Sequence, residues 1–263
     1  MNKSAKAPLL AQLTVSGLLV LLAAPIIVTL VYSLSAQWGA HILPLGFTVD
    51  WYLALWSDSR FLAAFGRSLL VCGAALLLSL LLILPTLFVV FYYFPRLKGL
   101  MNLLILLPFA VPPVVSSVGL LQLYAGGPLP LVGGPWLLIF CYFTISLPFM
   151  YRALANNLDA IALSDLIDAA HLLGASTVGA FLRVVLPNIR NGLLAALFLS
   201  FSFLFGEFVF ANMLVGTRFE TLQVYLYSQR TNSGHFTSAM VMSYFIFIGV
   251  ATWFALRLQT RSR

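Results

Sequence analysis

Charge is what this sequence has least of: Lys, Arg, Asp and Glu make up 8% of its 263 residues, against roughly 25% in a soluble domain. That poverty excludes a water-soluble fold, because 14 basic and 7 acidic side chains cannot cover the surface of so long a chain. Cysteine is scarcer still. Cys72 and Cys141 both fall in apolar runs, where they read as small buried hydrophobes and not as a disulfide or a metal site. The only lysines are Lys3, Lys6 and Lys98, and none follows a glycine. No Gly-Lys-Ser/Thr loop therefore exists to wrap a nucleotide's phosphates. His41, His171 and His235 lie far apart without ligand spacing, which excludes a metal site. Neither His-Glu-x-x-His nor Gly-x-Ser-x-Gly is present to support an intramembrane protease, so no catalytic residue is named. The net charge of +7 comes without a dense basic cluster or aromatic-basic interleaving, so a nucleic-acid partner is excluded too.

What the chain has in abundance is hydrophobic residues, 62% of the total, and these make the lipid bilayer its solvent. About 20 apolar residues cross roughly 30 Å of hydrocarbon. Six stretches qualify: Leu13 to Leu34, Ser68 to Phe94, Leu100 to Tyr124, Trp136 to Leu154, Gly192 to Val215 and Thr237 to Leu256. The first run is too long for the apolar core of a secretion signal and ends without a clear small-x-small cleavage site, so it reads as a retained span. Six crossings from a cytoplasmic N-terminus place Lys3, Lys6, Arg96, Lys98, Arg152, Arg183, Arg190, Arg257, Arg261 and Arg263 inside. Only Arg60, Arg67, Arg218 and Arg230 are left outside. This positive-inside bias puts both termini in the cytoplasm. No repeat or linker divides the chain, so residues 1–263 read as one transmembrane domain.

Several features point at the outer face and the interior. A long outer loop from Ser35 to Gly66 carries Trp38, Trp51, Tyr52 and Trp56, which either anchor it at the headgroups or help form a rim for a partner. That rim would also use Gly126 to Pro135 and Arg218 to His235. Pro108, Pro112 and Pro113 interrupt the third span, and a freed carbonyl must find a partner inside protein or a wet cavity. The third helix is therefore expected to be kinked and to face the interior. Glu207 is the only acidic residue well inside a span, where a charge costs about 2.5 to 3.5 kcal/mol on insertion scales. It must face the bundle interior, either packing, hydrogen-bonding or gating there, or touching a cationic solute. Asn212, Ser200, Ser202, Gln122 and Pro112 are weaker candidates for lining a pathway.

The most informative segment is the cytoplasmic stretch between the fourth and fifth spans, about 155–190. Ala160, Ile161, Leu163, Leu166, Ile167, Ala169 and Ala170 recur at the spacing of a short amphipathic helix. Ser164 or Asp165 is expected to cap its N-terminus and Gly174 to end it. Ser176 then opens a second short helix, and Pro187 keeps that helix from continuing unchanged into the next span.

These residues resemble a known family. Asp168-Ala169-Ala170, three residues, Gly174, nine residues and Val184-Val185-Leu186-Pro187 are similar to the EAA loop of ATP-binding-cassette importer permeases, Glu-Ala-Ala-x3-Gly-x9-Ile-x-Leu-Pro. Asp168 stands for Glu and Val184 for Ile. The resemblance extends to Leu107-Pro108-Phe109-Ala110-Val111-Pro112 and Gly206-Glu207-Phe208. It is greatest with the spermidine/putrescine, ferric-iron and phosphonate branch, and the segments Leu34 to Trp38 and Leu43 to Thr48 look like permeases for polyamines and 2-aminoethylphosphonate.

The resemblance implies an all-α integral membrane protein of the type I importer permease fold in a bacterial inner membrane. It further implies partners: an ATPase dimer that binds ATP and magnesium, a second permease subunit, identical or homologous, and an extracytoplasmic solute-binding protein. This chain would hold no cofactor. Asp165, Asp168, Ala169, Ala170, Gly174, Ala175, Leu186 and Pro187 would then form the socket for the ATPase. The rivals are a secondary active transporter, which usually shows two related halves and several midplane charges, and a membrane-embedded enzyme, which needs catalytic groups at one depth. Neither pattern is present.

Overall fold

The computed structural model describes residues 9–39, 41–126 and 131–260. Lys3, Lys6, Arg261 and Arg263 of the charge count, and Gly127 to Pro130 of the expected rim, lie outside them. The described chain is helical apart from one small hairpin, β1 (Ser35–Gln37) against β2 (Leu45–Phe47), antiparallel with Ser35 opposite Phe47. The helices in order are α1 (Leu9–Leu34), α2 (Asp50–Ser57), α3 (Ser59–Tyr93), α4 (Lys98–Ala110), α5 (Pro113–Tyr124), α6 (Pro135–Asp159), α7 (Leu163–Leu172), α8 (Thr177–Ala180), α9 (Leu186–Phe205), α10 (Leu222–Gln229) and α11 (Gly234–Thr260).

Among the described residues, α1, α3, α6, the run Thr177–Phe205 and α11 are each long and apolar enough to cross a bilayer. The α4–α5 pair makes a sixth crossing if counted together, although its halves meet at 83°. The expected kink is thus a break. Pro112 and Pro113 bring no amide to the helix that precedes them, so α4 stops at Ala110 and α5 starts afresh at Pro113.

Helix ends differ most from the hydropathy boundaries in two further places. Helix α3 begins at Ser59 and not at Ser68, so Arg60 and Arg67 stand on it. The fifth stretch does not run as helix from Gly192 to Val215. Its helix ends at Phe205, and a wider turn with i→i+5 hydrogen bonds follows over Ala211–Val215. Apolar runs mark the hydrocarbon slab, whereas helix ends are set by capping and backbone hydrogen bonds.

The chain divides into two compact units. The first (1–59 and 228–247) is pinned by His235, whose ring stacks on Tyr32 at 4.2 Å and on Trp51 at 5.6 Å. Nδ1 of His235 lies 2.9 Å from the Tyr32 carbonyl, which makes it a donor there. Trp51 donates from Nε1 to the Ser35 carbonyl, and the hydroxyls of Tyr52 and Ser33 meet at 2.7 Å. Trp51 and Tyr52 are therefore engaged inside this unit, while Trp56 stays exposed.

The second unit (60–227 and 248–263) holds the main core. Leu87, Met150, Leu154, Ile167, Ala180, Val185, Ile189 and Ala196 are fully buried in one cluster from α3, α6, α7, α8, α9 and the turn just before α9. Helices α6 and α9 pack closely because Gly192 has no side chain: a Cβ there would clash with the Asn157 side-chain amide. Deeper in the bundle, the buried hydroxyls of Ser79 and Ser146 join α3 to α6 at 2.8 Å. At the opposite end from the α7–α8 corner, Arg60 clasps the buried Glu220 carboxylate with two hydrogen bonds of 2.7 and 2.8 Å.

Candidate functional site

Two places in the second unit combine the residues that the sequence singles out. The first is the corner between α7 and α8. Leu163, Ile167 and Ala170 bury the inner stripe of α7, as the amphipathic spacing predicts. The start of the helix corrects the expected cap. Ala162 takes the N-cap position without a side-chain hydrogen bond, and Ser164 and Asp165 lie exposed inside the first turn. Burying Leu163 as the first helical residue moves the start ahead of both polar candidates; Asp165 still favours the positive end of the helix dipole.

The glycine corner forms as expected. Gly174 has φ +81°, the left-handed region, and it closes α7 with two reversed hydrogen bonds. Ala175 N–H donates to the Ala170 carbonyl at 3.0 Å and Gly174 N–H to that of His171 at 2.9 Å. This pairing is the Schellman pattern, and it gives Ala170 and Ala175 a backbone role in the turn. Ser176 then caps α8, its Oγ accepting from Gly179 N–H at 3.2 Å. The helix does continue past Pro187 to Phe205, but only through a widened turn at Phe181–Val185. Such a bulge accommodates the missing proline amide, and Asn188 Nδ2 supplies a donor to the Val184 carbonyl at 2.8 Å. Val185 and Ile189 seat this helix in the core; Leu186 is half-buried and Pro187 exposed.

The outside of the corner is apolar. Leu172 is 90% exposed, Leu173 89% and Val178 68%. The sequence reading missed these three; the signal was two leucines placed just before the terminating glycine, off the inner stripe of α7. Asp168 and Ala169 share this outer face, and Asp168 Oδ1 lies 3.4 Å from the Tyr92 hydroxyl, a long contact. Phe181 packs on Phe88 of α3 at 4.6 Å. At the nearby end of α6, Lys98 pairs with Asp159 at 2.8 Å and sits 3.8 Å over the Phe91 ring. The corner is thus exposed outside and continuous with the helix bundle inside.

The second place is a recess of about 460 Å3 between two helix breaks. Pro108, Phe109, Val111 and Pro113 border it from the α4–α5 break, and Ser202, Phe203, Gly206, Glu207, Val209 and Phe210 from the end of α9. Glu207 follows that end and is not inside a helical span. Its carboxylate accepts from the amides of Phe210 at 2.9 Å and Ala211 at 3.2 Å. It caps the next turn, which offsets the cost of an anion at this depth. Tyr142 donates to the Glu207 carbonyl at 3.2 Å. Of the other candidates, Ser202 lines the recess and Pro112 sits within the break. Gln122 and Asn212 are exposed elsewhere, and Ser200 is buried with its hydroxyl unpaired.

Residues 75–263 match the family described as binding-protein-dependent transport system inner membrane component. The chain belongs to that family. It is therefore a multi-pass inner-membrane permease of an importer, a transport subunit and not itself a catalyst. Its place in such a system implies ATPase and binding-protein partners. The permease is 29% identical over 204 residues to the putative 2-aminoethylphosphonate transport system permease protein PhnV of Salmonella typhimurium, covering 78% of this chain and 76% of that one. It is 27% identical over 208 residues to the spermidine/putrescine transport system permease protein PotC of Escherichia coli K12, with the same coverage. Among solved structures, a bacterial ABC transporter involved in the import of the acidic polysaccharide alginate superposes with a TM-score of 0.72. That match covers 98% of this chain and 99% of the other at 15% identity, and so speaks for the fold.

Proposed function

We propose that this permease forms half of the path of an ATP-driven importer for a small solute with a primary ammonium group, a polyamine or an aminoalkylphosphonate. The corner of α7, Gly174 and α8 seats on a separate ATPase subunit, which binds ATP and magnesium. The observation that carries this reading is the nearly naked Leu172–Leu173 pair on a corner whose other side is locked into the core. Exposed leucines of this kind are what a protein-docking patch presents. Asp165, Asp168 and Ala169 border the patch, Ala170, Gly174 and Ala175 fix its turn, and Leu186 and Pro187 lie where it joins the spanning helix.

A second permease, identical or homologous, completes the path, and an extracytoplasmic binding protein delivers the solute. Residues 1–263 act as one transmembrane domain with both termini cytoplasmic, consistent with the basic residues around the corner and with six crossings. ATP-driven closure of the ATPase pair moves the corner, and a rigid corner carries that motion into α3, α6 and α9. The solute assignment rests on chemistry common to the solutes after which two relatives are named, a primary ammonium on a short alkyl chain.

Reconstitution of the permeases with their ATPase and binding protein tests the reading. Uptake of putrescine or 2-aminoethylphosphonate should require ATP and the ATPase. Uptake driven by an ion gradient in vesicles lacking the ATPase would overturn it.

A further inference from the structure

The recess beside Glu207 is lined mainly by aliphatic and aromatic side chains, with Glu207 as its single charged group. Helix α4 ends at Ala110, and Pro112 and Pro113 have no amide, so the carbonyls of Pro108 and Phe109 lose the donors four residues ahead. Helix α9 ends the same way by a different route. The amides of Gly206 and Glu207 both turn back to the Leu204 carbonyl, which removes the regular partners of the Ser202 and Phe203 carbonyls. Two helix C-termini, each carrying partial negative charge, thus border the cavity beside the starts of α5 and of the turn after Glu207, and Glu207 itself caps the second of those starts. The Glu207 carboxylate lies there as well, and the amides of Phe210 and Ala211 leave acceptor capacity on both of its oxygens. No Lys, Arg or His lines the recess, and the rings of Phe109, Phe203 and Phe210 do. Carbonyl ends, a carboxylate and aromatic faces are the surroundings a desolvated cation prefers.

We infer that this recess holds the ammonium end of the solute as it passes, with Glu207 doing two things at once: capping the turn that follows and supplying the negative charge. The inference rests on the solute reading above and adds where in the chain that solute is read. No cationic side chain lines the recess to meet a phosphonate or other anionic end.

The test places a thiol in the recess. Ser202→Cys is introduced into a chain with Cys72→Ala and Cys141→Ala, assembled with its ATPase, partner permease and binding protein. Labelling rates are compared for a cationic aminoethyl and an anionic sulfonatoethyl methanethiosulfonate, each normalised to its rate with a free small thiol. The recess should favour the cationic reagent by roughly tenfold, about the effect of one carboxylate in apolar surroundings. Glu207→Gln, which keeps an acceptor for the cap, should cut that preference several-fold, and putrescine should slow the cationic reaction. A normalised ratio near one, or a ratio that Glu207→Gln leaves unchanged, overturns the inference. The labelling ratio reads the recess whichever solute is imported. An importer that ignores putrescine and 2-aminoethylphosphonate yet keeps the ratio refutes the solute reading alone. One that imports them with a ratio of one refutes the recess alone.

Discussion

Replacing Gly174 separates the geometry of the corner from its contact with the ATPase. With φ at +81°, any L residue with a Cβ suffers about 1–2 kcal/mol of backbone strain there, and asparagine suffers less. A Cβ at this position meets nothing within 4 Å in the chain, so no clash adds to the strain. If the corner relaxes, the hydrogen bonds from Ala175 to Ala170 and from Gly174 to His171 weaken together. The population of the open corner should then rise roughly 5- to 30-fold, the equivalent of about 1–2 kcal/mol. Hydrogen exchange at the amides of residues 174 and 175 reads that change directly. In proteoliposomes the solute taken up per ATP should stay within about twofold of wild type for Gly174→Asn. It should fall by roughly fivefold for Gly174→Ala and further for Gly174→Val, whose β-branch resists positive φ. Membrane insertion and ATP hydrolysis should survive. A valine variant with unaltered exchange and a wild-type ratio of uptake to hydrolysis would refute the claim that a rigid corner transmits force.

Other perturbations test the packing that carries this motion. Gly192→Ala drives a methyl into the Asn157 amide group and should lower stability by about 1–3 kcal/mol. Adding Asn157→Ala should recover most of that loss in thermal unfolding followed in detergent. Arg60→Ala strands the buried Glu220 carboxylate, and with Arg60 half-exposed the loss should be about 1–2 kcal/mol. Glu220→Gln in the same assay should cost less, because no charge is left unpaired. Ser79 and Ser146 have one proton each for their mutual contact and for the carbonyls of Ala75 and Phe143. Their alanine variants should therefore be non-additive, with a double-mutant coupling of about 0.5–1 kcal/mol.

The corner was legible because its signals are local and one-dimensional. A buried stripe, a terminating glycine and a capping serine each act within a few residues, and Ile167, Gly174 and Ser176 do what their positions predict. Its start was not legible, since burial of Leu163 outweighed the capping preference of Ser164 and Asp165. In the spans, nearly every residue is apolar, so periodicity hardly distinguishes a core face from a lipid face. That is why the length of α3 and the end of α9 at Phe205 escaped a hydropathy reading. The prolines announced a kink in the third span but not its 83° angle, which depends on two successive missing amides. The surroundings of Glu207 depend on Gly206 ending one helix just before it, a pattern easily read as one continuous span. Leu172 and Leu173 look like ordinary apolar residues until the fold leaves them uncovered.

The claim that most needs testing is that the exposed leucine corner is the seat of a separate ATPase. A photo-crosslinking benzoylphenylalanine at Leu173, in membranes containing the whole importer, measures it directly. The account predicts a covalent adduct between this chain and the ATPase subunit, and none from the same probe at the exposed Trp56 of α2. Adducts to lipid alone from position 173, or an ATPase adduct from position 56, would contradict it.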